Sequence, residues 1–184
     1  MKLKHFRFIA ILVLFTYAMF AHAAQYNGGI TKWQAGNGKL VMMTGVLTDN
    51  ARYYYLNYTF YWESVDNTKG DTFMMIPIVK DKEHMGDPGY YDLNFSTFNG
   101  AGVTMTDAEV IVKGNKVWLV TGHKDAVNGY TAPGVVTTRV YQLFEGGEAE
   151  WSYYFALVPG GKKYPDNLDY TVENALSETA KHLH

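Results

Sequence analysis

Between residues 39 and 158, apolar side chains alternate with polar ones or gather in short runs, and turn residues interrupt them roughly every 8–15 positions. The run 39–48 (KLVMMTGVLT) closes at Asp49-Asn50. The next, 51–64 (ARYYYLNYTFYWES), is the longest, and in it Leu56, Tyr58, Phe60 and Trp62 alternate with Asn57, Thr59, Tyr61 and Glu63. A period of two turns one set toward a core and the other toward solvent, which predicts a half-buried strand. A polar turn at 66–71 (DNTKGD) leads into 72–80 (TFMMIPIVK). Pro77 has no N–H to give a ladder, so it predicts an edge strand or a bulge there.

A further strand is predicted at 90–98, entered through Gly86-Asp87-Pro88-Gly89. Gly114-Asn115 joins 109–113 to 116–124, and Gly146-Gly147 joins 135–145 to 149–158. Both dipeptides tolerate the positive φ that a two-residue hairpin requires. The glycine-rich stretch 24–38 around Trp33 reads as mostly irregular. At the other end 171–181 predicts a short helix, with Thr171 as its cap, Glu173 in its first turn, and Leu176 and Ala180 on one face. The expected fold is therefore all-β: an antiparallel β-sandwich of about eight strands with a short C-terminal helix.

The N-terminal segment changes the picture of where this domain works. Lys2, Lys4 and Arg7 precede an apolar run at 8–20, and Ala21-His22-Ala23 follows. That layout is a secretory signal, with cleavage expected after Ala23 and a single mature domain at 24–184. An apolar run of about 13 residues is too short to remain as a spanning anchor. The chain carries 16 basic and 18 acidic residues. Loss of the three leader bases leaves 13 against 18, an acidic surface with no electrostatic reason to seek nucleic acid or anionic lipid. No cysteine is present, which excludes disulfides, thiol catalysis, thiolate-bound metal and a lipid anchor on cysteine. Stability must come from a core, for which 15 Tyr, 10 Phe and 4 Trp supply material. A periplasmic location fits these features.

Candidate chemistry is sparse. No Ser-x-x-Lys or Gly-x-Ser-x-Gly motif surrounds Ser64, Ser96, Ser152 or Ser177. Among His84, His123, His182 and His184 no pair has zinc-hydrolase spacing. His123, where a strand runs out into a loop, is the best single catalytic candidate, without a legible acid–base partner. Asp81, Glu83, Asp87 and Asp92 gather in one segment, where a loose oxygen-ligand cation site could form, with Asp87 and Asp92 as candidate metal ligands. An EF-hand is excluded, because Thr97 and Val103 occupy the places of its turn glycine and bidentate glutamate. The tyrosine-rich strand 53–62 is read as packing in preference to a ligand face. No enzymatic chemistry is expected.

The runs YYDLNFSTFNGAGVTMTDAEVIVKGNKVWLVTGHKD (90–125) and VVTTRVYQLFE (135–145) resemble the carbapenem intrinsic resistance proteins. These periplasmic proteins protect carbapenem-producing enterobacteria from their own antibiotic. The resemblance implies a homodimeric β-sandwich with short terminal helices, similar in fold to the periplasmic inhibitors of invertebrate-type lysozyme, and a bound cation of unassigned identity. It implies protection without hydrolysis of the drug. Drug sequestration, shielding of a cell-wall synthesis protein, and binding of a third partner all remain open. The inhibitors act through a Ser-Gly…Tyr loop, and this chain has no Ser-Gly dipeptide. Lysozyme inhibition is therefore the alternative, kept open by the acidic charge that would suit a basic enzyme.

Overall fold

The alternation along 39–64 builds a ladder of long strands, β1 (Gly29–Ala35), β2 (Gly38–Asp49) and β3 (Tyr53–Ser64). The structure is a computed structural model and describes residues 26, 28–49, 53–64, 73–146, 151–166 and 170–183. The leader at 1–23, the turn at 66–71, Asn50 and Gly147 lie outside the described residues. After β3 come the short β4 (Phe73–Met75), β5 (Ile78–Val79), β6 (Tyr91–Asp92), β7 (Phe95–Ser96) and β8 (Phe98–Gly100). Long strands resume with β9 (Val103–Lys113), β10 (Lys116–Lys124), β11 (Val136–Glu145) and β12 (Tyr153–Val158), followed by the two-residue β13 (Lys163–Tyr164) and helix α1 (Val172–Ala180). Among the described residues all thirteen strands join one sheet in the order β1-β2-β3-β8-β9-β10-β11-β12-β5-β6. β4 and β7 pair with β3, and β13 pairs with β11. The fold is all-β and sandwich-like, with one short C-terminal helix among the described residues.

Closure depends on the segment 73–79. Its first half, β4, pairs with β3, while its second half, β5, pairs with β12. The Ile76 N–H donates to the Phe60 carbonyl at 2.9 Å, and one residue later the Pro77 carbonyl accepts from the Phe155 N–H at 2.9 Å. Pro77 therefore stands where the chain changes partners, a position at which a missing N–H costs no ladder bond. The β12–β5 pair is parallel and the other pairings are antiparallel.

Between the layers, Leu40, Met42, Leu56 and Phe60 meet Val117, Leu119 and Phe155 in the principal core. The Phe60 and Phe155 rings are both fully buried and meet edge to face at 5.4 Å. Full burial of each such ring contributes about 1.5–3 kcal/mol. The predicted alternation in β3 is present: Leu56, Tyr58, Phe60 and Trp62 are buried, and the residues between them are half-exposed. A second core lies under α1, where Trp118, Val120 and Val140 meet Val172, Ala175 and Leu176. Thr171 caps the helix by accepting the Asn174 N–H at 3.2 Å.

Two regions differ from the sequence reading. Residues 29–35 form β1 and not an irregular stretch, because the Gln34 side-chain amide closes the β1–β2 turn by donating to the Gly36 and Gly38 carbonyls at 3.0 Å each. The strand expected at 90–98 is three short ones, β6, β7 and β8, since β6 pairs with β5 whereas β7 and β8 pair with β3. The larger number of strands comes from β1, β13 and the division of 72–80 and 90–98 into two- and three-residue pieces.

Gly122 sets the distance between α1 and the sheet: a Cβ there would come within 2.9 Å of Val172 Cγ1 and 3.3 Å of Leu176. Gly122→Ala is expected to push the helix outward and lower stability by about 1–3 kcal/mol. The shift in the urea midpoint measures it, and an unshifted midpoint would mean that α1 does not pack this closely.

Candidate functional site

Strands β9, β10, β11 and β13 lie side by side, and their register sorts one face into rows. Nearest the core is Val110, opposite Leu119, opposite Tyr141. Two residues along comes Ala108, opposite Thr121, opposite Arg139. The last row is Thr106, His123, Thr137 and Lys163. Directly opposed side chains on one face stand about 4.5–5.5 Å apart at Cβ, so each row is a set of neighbours. The first row is aliphatic and aromatic, whereas the second and third carry hydroxyls together with the cations Arg139 and Lys163.

Ile78 of β5, Lys80, Asp92 of β6 and Phe95 of β7 supply the facing wall. The two walls enclose a cleft of about 460 Å³, within the range of small-molecule sites. Its floor is apolar and its rim holds the cations Lys80, Arg139 and Lys163 against the single carboxylate of Asp92. Lys80 Nζ pairs with Asp92 at 3.0 Å, with the two side chains 47% and 51% exposed. An ion pair that open contributes about 0–1 kcal/mol, so a competing anion displaces it at little cost. Arg139 and Lys163 have no carboxylate partner among the described residues. His123 Nδ1 lies 3.0 Å from Thr106 Oγ1, so its ring is oriented by a hydroxyl and not by an acid.

Of the predicted cation ligands, Asp92 lines this cleft paired to Lys80, whereas Asp87 faces His84 Nδ1 at 3.5 Å. Asp81 caps the following turn by accepting the Glu83 N–H at 3.0 Å. Among the described residues no three His, Asp or Glu side chains gather as a metal-binding group. The structure therefore brings the best histidine and one predicted aspartate to a common cleft. Sequence reasoning missed Lys80, Arg139 and Lys163. No motif links them, and only the register of four strands reveals their proximity.

β9 carries a second electrostatic feature. Asp107 and Glu109 alternate with Thr106, Ala108 and Val110 along the strand, and Asp107 lies near both the Tyr58 hydroxyl of the principal core and Glu173 of α1, which bonds Thr104. Burial raises the Asp107 carboxyl to about 6, and Glu173 adds to the rise, against the lowering effect of hydrogen bonds from the Ala108 N–H at 2.7 Å and the Tyr58 hydroxyl at 3.3 Å. Burial also raises Glu109, whose Oε2 has no hydrogen-bond partner. At the same edge of β9, the Tyr26 hydroxyl accepts the Val110 N–H at 3.1 Å, and its ring meets Tyr58 edge to face at 5.7 Å.

Fold and cleft together define an all-β, sandwich-like protein with a cation-rimmed cleft between its layers. No protein-family model matches the chain, and no curated protein matches its sequence. Among solved structures, the crystal structure of CarG is similar with a TM-score of 0.61 at 12% identity, covering 88% of this chain and 95% of that one. The chain thus has a CarG-like fold, and at that identity the likeness concerns the fold alone.

Asp107 makes stability depend on pH. Its folded value of about 6 lies above the ordinary 3.8, so between these values the folded state holds the proton longer than the unfolded one. The contribution of Asp107 to stability is then greatest below about pH 4, falls as pH rises toward 6, and levels off above, a loss of about 3 kcal/mol. Asp107→Asn is expected to flatten this interval in urea titrations at pH 4, 5, 6 and 7. An unchanged slope would show that Asp107 titrates normally.

Proposed function

We propose that this protein is exported to the periplasm and protects its cell from a carbapenem by binding, without turnover. The observation that carries the reading is a coincidence of position. The runs 90–125 and 135–145, which resemble the carbapenem intrinsic resistance proteins, span β9, β10 and β11, the strands of the cleft wall that carries Arg139 and His123. The all-β, CarG-like fold with its C-terminal helix supports the same reading, since the resemblance implied a β-sandwich. Support for binding in preference to hydrolysis is chemical. His123 contacts the Thr106 hydroxyl, and no acid among the described residues pairs with its ring to complete a hydroxyl–histidine–acid arrangement. A homodimer and a bound cation, both implied by the resemblance, belong to this proposal as well.

The test expresses the full chain in a susceptible enterobacterium and records killing by a simple carbapenem while following drug absorbance in periplasmic extract. The expected result is survival at several-fold higher drug with the drug chemically intact. Catalytic loss of absorbance, or no protection with the protein present in the periplasm, would overturn the proposal.

A further inference from the structure

We infer that the cleft is a binding site for a small organic acid, one carboxylate beside a compact apolar body. Three features of the walls point to that class. First, Arg139 and Lys163 sit in adjacent rows of one sheet face, and neither has a carboxylate partner among the described residues. Two cations a row apart can share one planar anion, with Arg139 able to bond both of its oxygens. Second, Ile78, Phe95 and Tyr141 line the same space, so a ligand anchored at the rim can lay hydrocarbon against the open end of the core. Third, Asp92 on the opposite wall is paired with Lys80, so the excess positive charge lies on the Arg139–Lys163 side and anchors a ligand at one end of the cleft. The threonine hydroxyls of rows two and three offer donors and acceptors for a carbonyl or hydroxyl between head and body. At about 460 Å³ the space suits one small molecule and excludes a folded partner.

Where the inference names the drug it rests on the reading above, because a carbapenem is a bicyclic monocarboxylate. The periplasm offers a second source of the same chemistry, the free C-terminus of a short wall peptide. Calorimetric titrations of the full mature protein with a simple carbapenem, and separately with an N-acetylated dipeptide bearing a free carboxylate, distinguish the two. One of them is expected to bind with unit stoichiometry per chain, and more weakly as salt rises, because the cations are exposed. The double variant Arg139→Gln/Lys163→Gln should weaken that binding at least tenfold. Arg139→Lys should retain more of it than Arg139→Gln, and Lys39→Gln, on β2, should change nothing. Both cleft cations are exposed, so an unaltered near-ultraviolet circular dichroism spectrum is expected to confirm that the variant is folded. Equal binding by the double variant, or no binding of either acid, would overturn the inference. If cells are protected while the double variant binds and protects equally, the cleft assignment falls and the protective function stands. If either acid binds through Arg139 and Lys163 but no cell is protected, the protective function falls and the cleft assignment stands.

Discussion

Six successive residues of β10, from Val117 to Gly122, are buried, so this strand needs cover on both faces. Successive side chains point to opposite sides of a sheet, and the cover is accordingly of two kinds. Val117 and Leu119 meet the principal core, while Trp118 and Val120 meet the cluster under α1. Gly122 allows the helix its closest approach. A slip of one residue would carry Thr121 and His123 beneath α1 and turn Trp118 toward the opposite layer. Helix, core and cleft are thus three consequences of one register.

The cleft lies where the core gives out along these strands. Arg139 and Lys163 stay at the rim because burying an unpaired cation would cost far more than any packing it gained. A rim of cations over a low-dielectric floor concentrates positive potential in a small volume, although the chain as a whole carries a formal charge of −2. On the proposed reading this arrangement divides the work. The charges draw and orient the ligand, and the apolar floor supplies contact area that does not depend on salt.

The sequence made the long strands legible because each alternates or hides completely, as in β3 and β10. Pro77 was legible as an interruption, and Thr171 as a cap. What stayed hidden depends on partners far along the chain. The pattern in β1 is weak because it is an edge strand paired only with β2, and Ile30 remains exposed. The break into β6, β7 and β8 follows from a change of pairing partner, which local composition does not encode. The cleft is the extreme case. His123 could be singled out as a histidine at a strand end, and Asp92 as part of an acidic segment. Lys80, Arg139 and Lys163 read only as solvated charges until the register sets them around one space.

The charges on β9 and its neighbours pose a question that folding alone does not answer. Arg139 and Lys163 line the cleft and Asp107 and Glu109 are half-buried on β9, yet none of the four forms a salt bridge among the described residues. A cation beside them would offset the burial that raises both carboxyls. Instead Asp107 accepts from the Ala108 N–H and the Tyr58 hydroxyl, and neither carboxyl is joined to the rim. Local arrangements that work against stability are expected where function constrains the sequence. Cations without an acid partner among the described residues, beside a space of small-molecule size, fit such a constraint better than an accident of surface composition. By the same argument the Lys80–Asp92 pair is the adjustable part of the cleft, since an exposed ion pair exchanges partners at little cost.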